Sequence, residues 1–352
     1  MRLDDLKWCG LQPCLSPISP ADLPAYQSDG GLGYGHLAMS TATPMPSAIS
    51  DHSLCGWRVA SALPLPDLMP WQGDARRPDL VIDLGPVPAR LDDTVIDQPL
   101  LQIAADGTCR FQVPDVATYL IDPGGQRVTI DPVLPPEAPD IRVFLLGTVF
   151  GILCFRRGLL PLHASCVRVG DRAIALAGPS GMGKSTLAAA LLRRGHAVLA
   201  DDVTVLDLTA AEGVRVLPAF PRLKLWRDAA ARLDIPIQGL ERSRVTLDKY
   251  HFPIADAFCA EPLPLSAVFH LDTGAQPGGA LLRRLRGPEA AAWLGRDIYR
   301  GGLMRRLGLA GWMLPATVMV AGIDGGTWAV AHGHGPGGLE RSIDGILERS
   351  GA

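Results

Sequence analysis

The sequence predicts an α/β fold built around a nucleotide-phosphate loop, preceded by a smaller, mostly β N-terminal domain. Three observations carry this expectation. Residues 178–186 (GPSGMGKST) satisfy the pattern G-x-x-x-x-G-K-[ST]. A buried-strand run at 173–177 (AIALA) enters that loop and a run of helix formers at 186–194 (TLAAALLRR) leaves it. Between residues 51 and 135, short β-type segments recur between turn signals.

Along the 352-residue chain, residues 1–50 are rich in Pro, Ser and Gly without periodicity and are expected to be poorly ordered, with Met39 and Met45 as alternative start sites. Strands are expected at 56–60, 80–84, 100–104, 109–113, 118–121 and 128–130, with turns at Asp106-Gly107 and at Pro123-Gly124-Gly125. The stretch 132–139 (PVLPPEAP) reads as a stiff linker into a second domain, 136–352. The apolar run 143–155 (VFLLGTVFGILCF) lies between Arg142 and Arg156-Arg157 and is too short to span a bilayer, so it predicts a buried helix. Strands at 165–169 and 173–177 precede the loop, and Gly195 sits at the helix C-terminus. A strand at 197–200 then ends in Asp201-Asp202 before extended chain at 203–208. Strand, loop, helix, strand is the context that the loop motif requires.

Each position in the loop has a chemical reason. The glycines Gly178, Gly181 and Gly183 let backbone N–H groups converge on phosphates, Pro179, Ser180, Met182 and Thr186 complete the turn and the helix start, Lys184 reaches the β- and γ-phosphates, and Ser185 ligates magnesium. ATP with Mg2+ is therefore the expected ligand. Asp201 and Asp202 at a strand end beside such a loop would present one acid to the metal and leave one free to accept a hydroxyl proton. His163, just before the strand that leads to the loop, is a further candidate.

Composition excludes several classes. A net charge of −3 gives no pull toward nucleic acid or anionic membrane, and Asp4, Asp5, Pro13 and Pro17 interrupt any basic-then-apolar pattern in the first residues, so secretion is not expected. Seven cysteines, with Cys9 and Cys14 the closest pair, match neither a disulfide framework nor CxxC zinc spacing, so reduced thiols in a cytoplasm are expected. Only Lys7, Lys184, Lys224 and Lys249 are lysines, which singles out Lys224 and Lys249, with Arg222, as possible phosphate or substrate contacts. Arg296, Arg300, Arg305 and Arg306 around Trp293 and Tyr299 read as a solvated helix face, and His332 and His334 as part of a glycine-rich loop rather than a metal site.

Taken together, His163, the loop, Arg194-Gly195-His196 and Ala200-Asp201-Asp202 resemble the kinase domain of the HPr kinase/phosphorylase family, over roughly residues 140–210. The resemblance implies the phosphoenolpyruvate-carboxykinase-like fold and a serine kinase acting on a peptide or small protein. It also implies that His163 orients or relays protons to the acid pair and that one acid of the pair is the base, Asp202 in preference to Asp201, which would then lie nearer the metal. Self-association into an oligomer is a further implication. The family's Glu-x-Arg-Gly segment, whose glutamate binds magnesium, has no counterpart in 218–227 (PAFPRLKLWR), which contains no glutamate. This departure and the N-terminal domain look more like a divergent branch found with peptide-maturation genes, including kinases of lasso-peptide precursors. A nucleotide-dependent module without phosphotransfer and a small-metabolite kinase are the alternatives.

Overall fold

A computed structural model describes residues 49–244, 247–272, 281–331 and 337–351. The segment 1–48, His332 and His334 lie outside the described residues, as do Lys7, Cys9 and Cys14. The other five cysteines are buried and unpaired by disulfides.

Nine strands form the first sheet: β1 (Ser50–Leu54), β2 (Trp57–Ser61), β3 (Met69–Pro70), β4 (Leu80–Leu84), β5 (Thr94–Gln98), β6 (Leu101–Ala104), β7 (Cys109–Val113), β8 (Ala117–Ile121) and β9 (Arg127–Pro132). Their spatial order is β3-β1-β2-β4-β9-β8-β7-β6-β5, with β4 parallel to both β2 and β9 and the remaining pairs antiparallel. Alternation explains the strands: Ala117, Tyr119 and Ile121 are fully buried while Thr118 and Leu120 between them are not. The predicted turns are present, with Gly107 at φ +92° between β6 and β7 and Gly125 at φ +64° between β8 and β9. The strands at 50–54, 69–70 and 94–98 carry too few apolar residues in alternation to be picked out from sequence.

The apolar run is one buried helical rod: α1 (Pro139–Phe144), a π turn (Leu145–Val149) and α2 (Phe150–Arg156). Proline at its first position suits a helix start. The Tyr119 hydroxyl donates to Ile141 O at 2.9 Å, and Phe150 packs edge-on against both Trp57 and Phe220. The rod is thus shared by the two halves. At the ends of the expected linker, Pro132 closes β9 and Pro139 opens α1, and one connected core runs from Leu54 through the rod to Val320. No helix among the described residues is long and apolar enough to cross a membrane.

The second half is mixed α/β. Its sheet contains β10 (Leu160–Leu162), β11 (Ala164–Val169), β12 (Arg172–Ala177), β13 (Val198–Ala200), β14 (Thr204–Asp207), β15 (Arg215–Leu217) and β18 (Leu263–Asp272), in the order β10-β14-β15-β18-β12-β11-β13. Strand β20 (Thr327–Ala331) pairs with β18 and with β19 (Leu282–Leu285), while β16 (Arg222–Trp226) and β17 (Lys249–Pro253) form a separate two-stranded ribbon. Helix α3 (Lys184–Arg193) follows β12 and buries Leu187, Ala188 and Leu191, and Gly195 after it has φ +90°. The remaining helices are α4 (Arg227–Arg232), α5 (Gly287–Asp297), α6 (Gly301–Arg306), α7 (Ala310–Ala321) and α8 (Gly338–Ser350).

Candidate active site

Strand β12 delivers the chain to residues 178–183 between β18 and the start of α3. Glycine is required at the entrance: Gly178 has φ +133°, and a Cβ there would lie 2.8 Å from Leu271 O of β18. Gly181 and Gly183 are also left-handed, at φ +86° and +87°, with Gly183 capping α3. The loop is therefore a concavity of backbone with the helix N-terminus behind it, the arrangement that binds phosphate. Lys184 is buried at its base and donates from Nζ to Gly178 O at 2.7 Å and Pro179 O at 2.9 Å.

Burial lowers the Lys184 ammonium to about 8, against the upward pull of Asp201, Asp202 and Asp297. Phosphate charge favours the protonated form, so above that value nucleotide binding must take up a proton. The ATP dissociation constant should be flat from pH 7 to about 8 and then rise toward tenfold per pH unit. Calorimetric titration in two buffers of different ionisation enthalpy measures both the affinity and the proton uptake. A constant that stays flat to pH 10 would contradict the assignment.

Asp201 and Asp202 follow β13 and have different surroundings. Asp201 is fully buried, and its carboxylate is fixed by three donors: Ser165 Oγ at 2.6 Å and Ser185 Oγ at 2.8 Å on Oδ1, and the Lys224 backbone N–H at 2.7 Å on Oδ2. Asp202 is partly exposed and sits at φ +73°, a left-handed conformation that Asp and Asn tolerate better than other side chains. Its Oδ2 accepts from Lys224 Nζ at 2.7 Å. Burial pushes the Asp202 carboxyl up, but Lys224, Lys249 and His163 outweigh it and hold it well below the usual carboxylate range. Asp202 is accordingly ionised throughout the physiological range.

His163 faces the same pair: its Nδ1 lies 3.1 Å from Asp202 O and 3.8 Å from Asp202 Oδ1. Burial and then the Lys184 charge lower its pKa against the pull of Asp202, so the ring is neutral at pH 7. A neutral ring with Nδ1–H donating to Asp202 O leaves Nε2 as a base.

The predicted residues His163, Lys184, Ser185, Asp201, Asp202 and Lys224 converge in this way, and Lys249 is close enough to bias both Asp202 and Lys184. Arg222 does not join them. It is buried and turned away to Asp67, with Nε 2.7 Å from Oδ1. The Arg222 guanidinium and the Lys224 ammonium are both enclosed by the fold.

Four further residues at the site have no motif to reveal them. Ser165 is a buried hydroxyl in a largely apolar strand, and its only sequence signal is a small polar residue in ASCVRV, a strand that also carries the exposed Arg168. From the end of α5 to the start of α6, the segment 297–300 runs beside β10: Asp297 O accepts from His163 N–H at 2.7 Å, and Leu162 pairs with Ile298. The Asp297 carboxylate contacts Nδ1 of the fully buried His270. Tyr299 lies with its ring centre 6.0 Å from that of His163, over Gly147 and Gly151 of the rod, where a Cβ would come within 3.1 Å of its hydroxyl and 3.2 Å of its ring respectively. The expected solvated helix face around Trp293 and Tyr299 is therefore broken at 298–300, with Arg300 left-handed at φ +54°, Tyr299 at the site and Trp293 edge-on to His270.

Magnesium takes hard oxygen ligands. Ser185 Oγ and Asp201 Oδ1 lie 2.8 Å apart beside the phosphate cradle and fit that preference. Where the resemblance leads one to expect a metal-binding glutamate, β16 instead presents the Lys224 ammonium to the acid pair.

No family model matches the chain, and no curated protein matches it. A solved structure similar to it is that of the Hpr(Ser) kinase/phosphatase from Coxiella burnetii, at 18% identity and a TM-score of 0.24, covering 36% of this chain and 76% of that one.

Proposed function

We propose that the protein is an ATP- and magnesium-dependent kinase that moves the γ-phosphoryl group to a serine hydroxyl of a peptide or small protein. The observation that carries this reading is the division of labour in the acid pair. Asp201 is locked against Ser185 on the metal side, while Asp202 remains partly open between Lys224 and His163. A simple nucleotide switch needs one such acid; two that differ in this way suit transfer to a hydroxyl.

In this mechanism the loop N–H groups, Lys184 and Lys224 hold and neutralise the triphosphate, with Lys249 at the periphery. Ser185 and Asp201 would hold the magnesium ion, which supplies charge neutralisation of the phosphate oxygens when bound. The serine oxygen forms the new bond to phosphorus as the bond to the β–γ bridging oxygen breaks, and the hydroxyl proton passes to Asp202, with His163 Nε2 as its relay. A strongly acidic Asp202 is a weak base. That suits a loose transition state, in which the proton leaves late.

The finer assignment, a precursor peptide such as that of a lasso peptide, rests on the sequence resemblance alone. A second reading, ATP hydrolysis without an acceptor, is favoured by the ion pair that already engages Asp202. Mass spectrometry after incubation with ATP, magnesium and serine-containing peptides separates the two. One added phosphate on serine is expected; steady ATP hydrolysis with no peptide phosphorylated would sink the kinase reading.

A further inference from the structure

On the ribbon of β16 and β17, Arg222 and Lys224 alternate on one face, and Lys224 is paired across the ribbon with His251. Lys224 reaches the acid pair. Arg222 and His251 reach a second polar cluster, buried where the N-terminal sheet, the helical rod and the ribbon meet. Two residues along a strand advance about 7 Å, so the cluster begins one or two peptide units from the phosphoryl site.

At its centre the Asp67 side chain is 3% exposed, with Oδ2 3.0 Å from Arg142 Nε and Oδ1 2.7 Å from Arg222 Nε. His251 Nδ1 lies 3.3 Å from Asp67 and 3.4 Å from Glu241, and its Nε2 is 2.8 Å from Ser243 Oγ. Both carboxylate oxygens of Glu241 contact Arg142 Nη2, at 2.6 and 2.7 Å.

Two features make the cluster more than a structural lock. The Glu241 side chain is 44% exposed, whereas the Arg142 side chain that it covers is 5% exposed, so a surface carboxylate plugs the opening to a buried guanidinium. Arg222, also 5% exposed, has an Nη1 with no hydrogen-bond partner among the described residues. Without Glu241, two guanidinium groups face one carboxylate, a site short of one negative charge. Guanidinium groups match carboxylates bidentately. Asp67, Glu241 and His251 could also be grouped as a cation site, since their ligand atoms lie within 4.8 Å of one another. A cation there would lie against Arg142 and Arg222, which already occupy the carboxylate oxygens.

We propose that this cluster is a seat for a carboxylate of the acceptor, with the Glu241 side chain filling it until the acceptor arrives. The assignment to an acceptor rests on the kinase reading above. The seat itself can be tested without ATP. The full-length chain and its Glu241→Ala variant would be titrated with acetate at constant ionic strength and followed by thermal unfolding. The phosphate loop is common to both, so the difference between them isolates the cluster.

In Glu241→Ala, acetate should raise the melting temperature saturably, at a midpoint roughly tenfold or more below that of the parent, because the tethered carboxylate no longer competes. Adding Arg222→Lys, or Arg142→Lys if the first does not fold, should remove that gain. Identical acetate responses in parent and Glu241→Ala would overturn the proposal, as would a gain that survives the arginine replacement. Saturable binding with no peptide phosphorylated would uphold the seat and overturn the kinase reading, so the two failures are distinguishable.

Discussion

Asparagine in place of Asp202 is expected to lower phosphoryl transfer by about 10²- to 10⁴-fold while changing ATP affinity by less than about threefold. The substitution removes the proton acceptor together with the negative charge opposite Lys224. Asn tolerates the left-handed backbone at φ +73°, and its side-chain oxygen can still accept from Lys224 Nζ, so the backbone and this hydrogen bond can be kept although the ion pair is lost. Lys184→Ala is the necessary comparison, because it removes the cation that meets the β- and γ-phosphates and should reduce nucleotide binding and transfer together. Equilibrium binding of a non-hydrolysable ATP analogue and single-turnover transfer, measured on both variants, separate the roles. Parental transfer by Asp202→Asn would make His163, or no side chain, the base.

The second large effect is on stability. Asp67→Asn should cost about 3–5 kcal/mol, read as a fall in the denaturation midpoint, because it leaves the buried guanidinium groups of Arg142 and Arg222 without their shared counter-charge. Burial alone would raise the Asp67 carboxyl. The hydrogen bond from His251 and the charges of Arg222 and Arg142 prevail and hold it well below the usual range. A depressed carboxyl contributes stability that is complete above its unfolded pKa, about 4, and is lost as pH falls through the folded value. The parent should therefore lose stability steeply below about pH 4, whereas Asp67→Asn should start lower and show a shallower acid slope. A midpoint within experimental error of the parent at pH 7 would show that the cluster contributes nothing net.

The nucleotide half of the site is legible in the sequence because its determinants are contiguous. A phosphate cradle needs particular backbone angles at Gly178, Gly181 and Gly183, a helix start at Lys184 and a strand before it, all of which one short stretch of chain specifies. The acid pair is legible for the same reason, since a strand of three buried residues ending in two carboxylates marks a change of environment at that point. The apolar rod and most strands of the first sheet follow from periodicity and run length. What periodicity cannot carry is the partner of an isolated polar residue. Arg142 meets Asp67 across 75 positions and Glu241 across 99, and Asp297 reaches His163 only because the chain breaks between α5 and α6 beside β10. By itself the sequence determined the phosphate loop, its flanking strand and helix, and the acids beside it. Tertiary structure alone decided that Lys224 faces those acids, that Arg222 turns away to Asp67, and that the two halves of the chain share one core, because pairing of buried charges depends on which distant segments packing brings within about 4 Å.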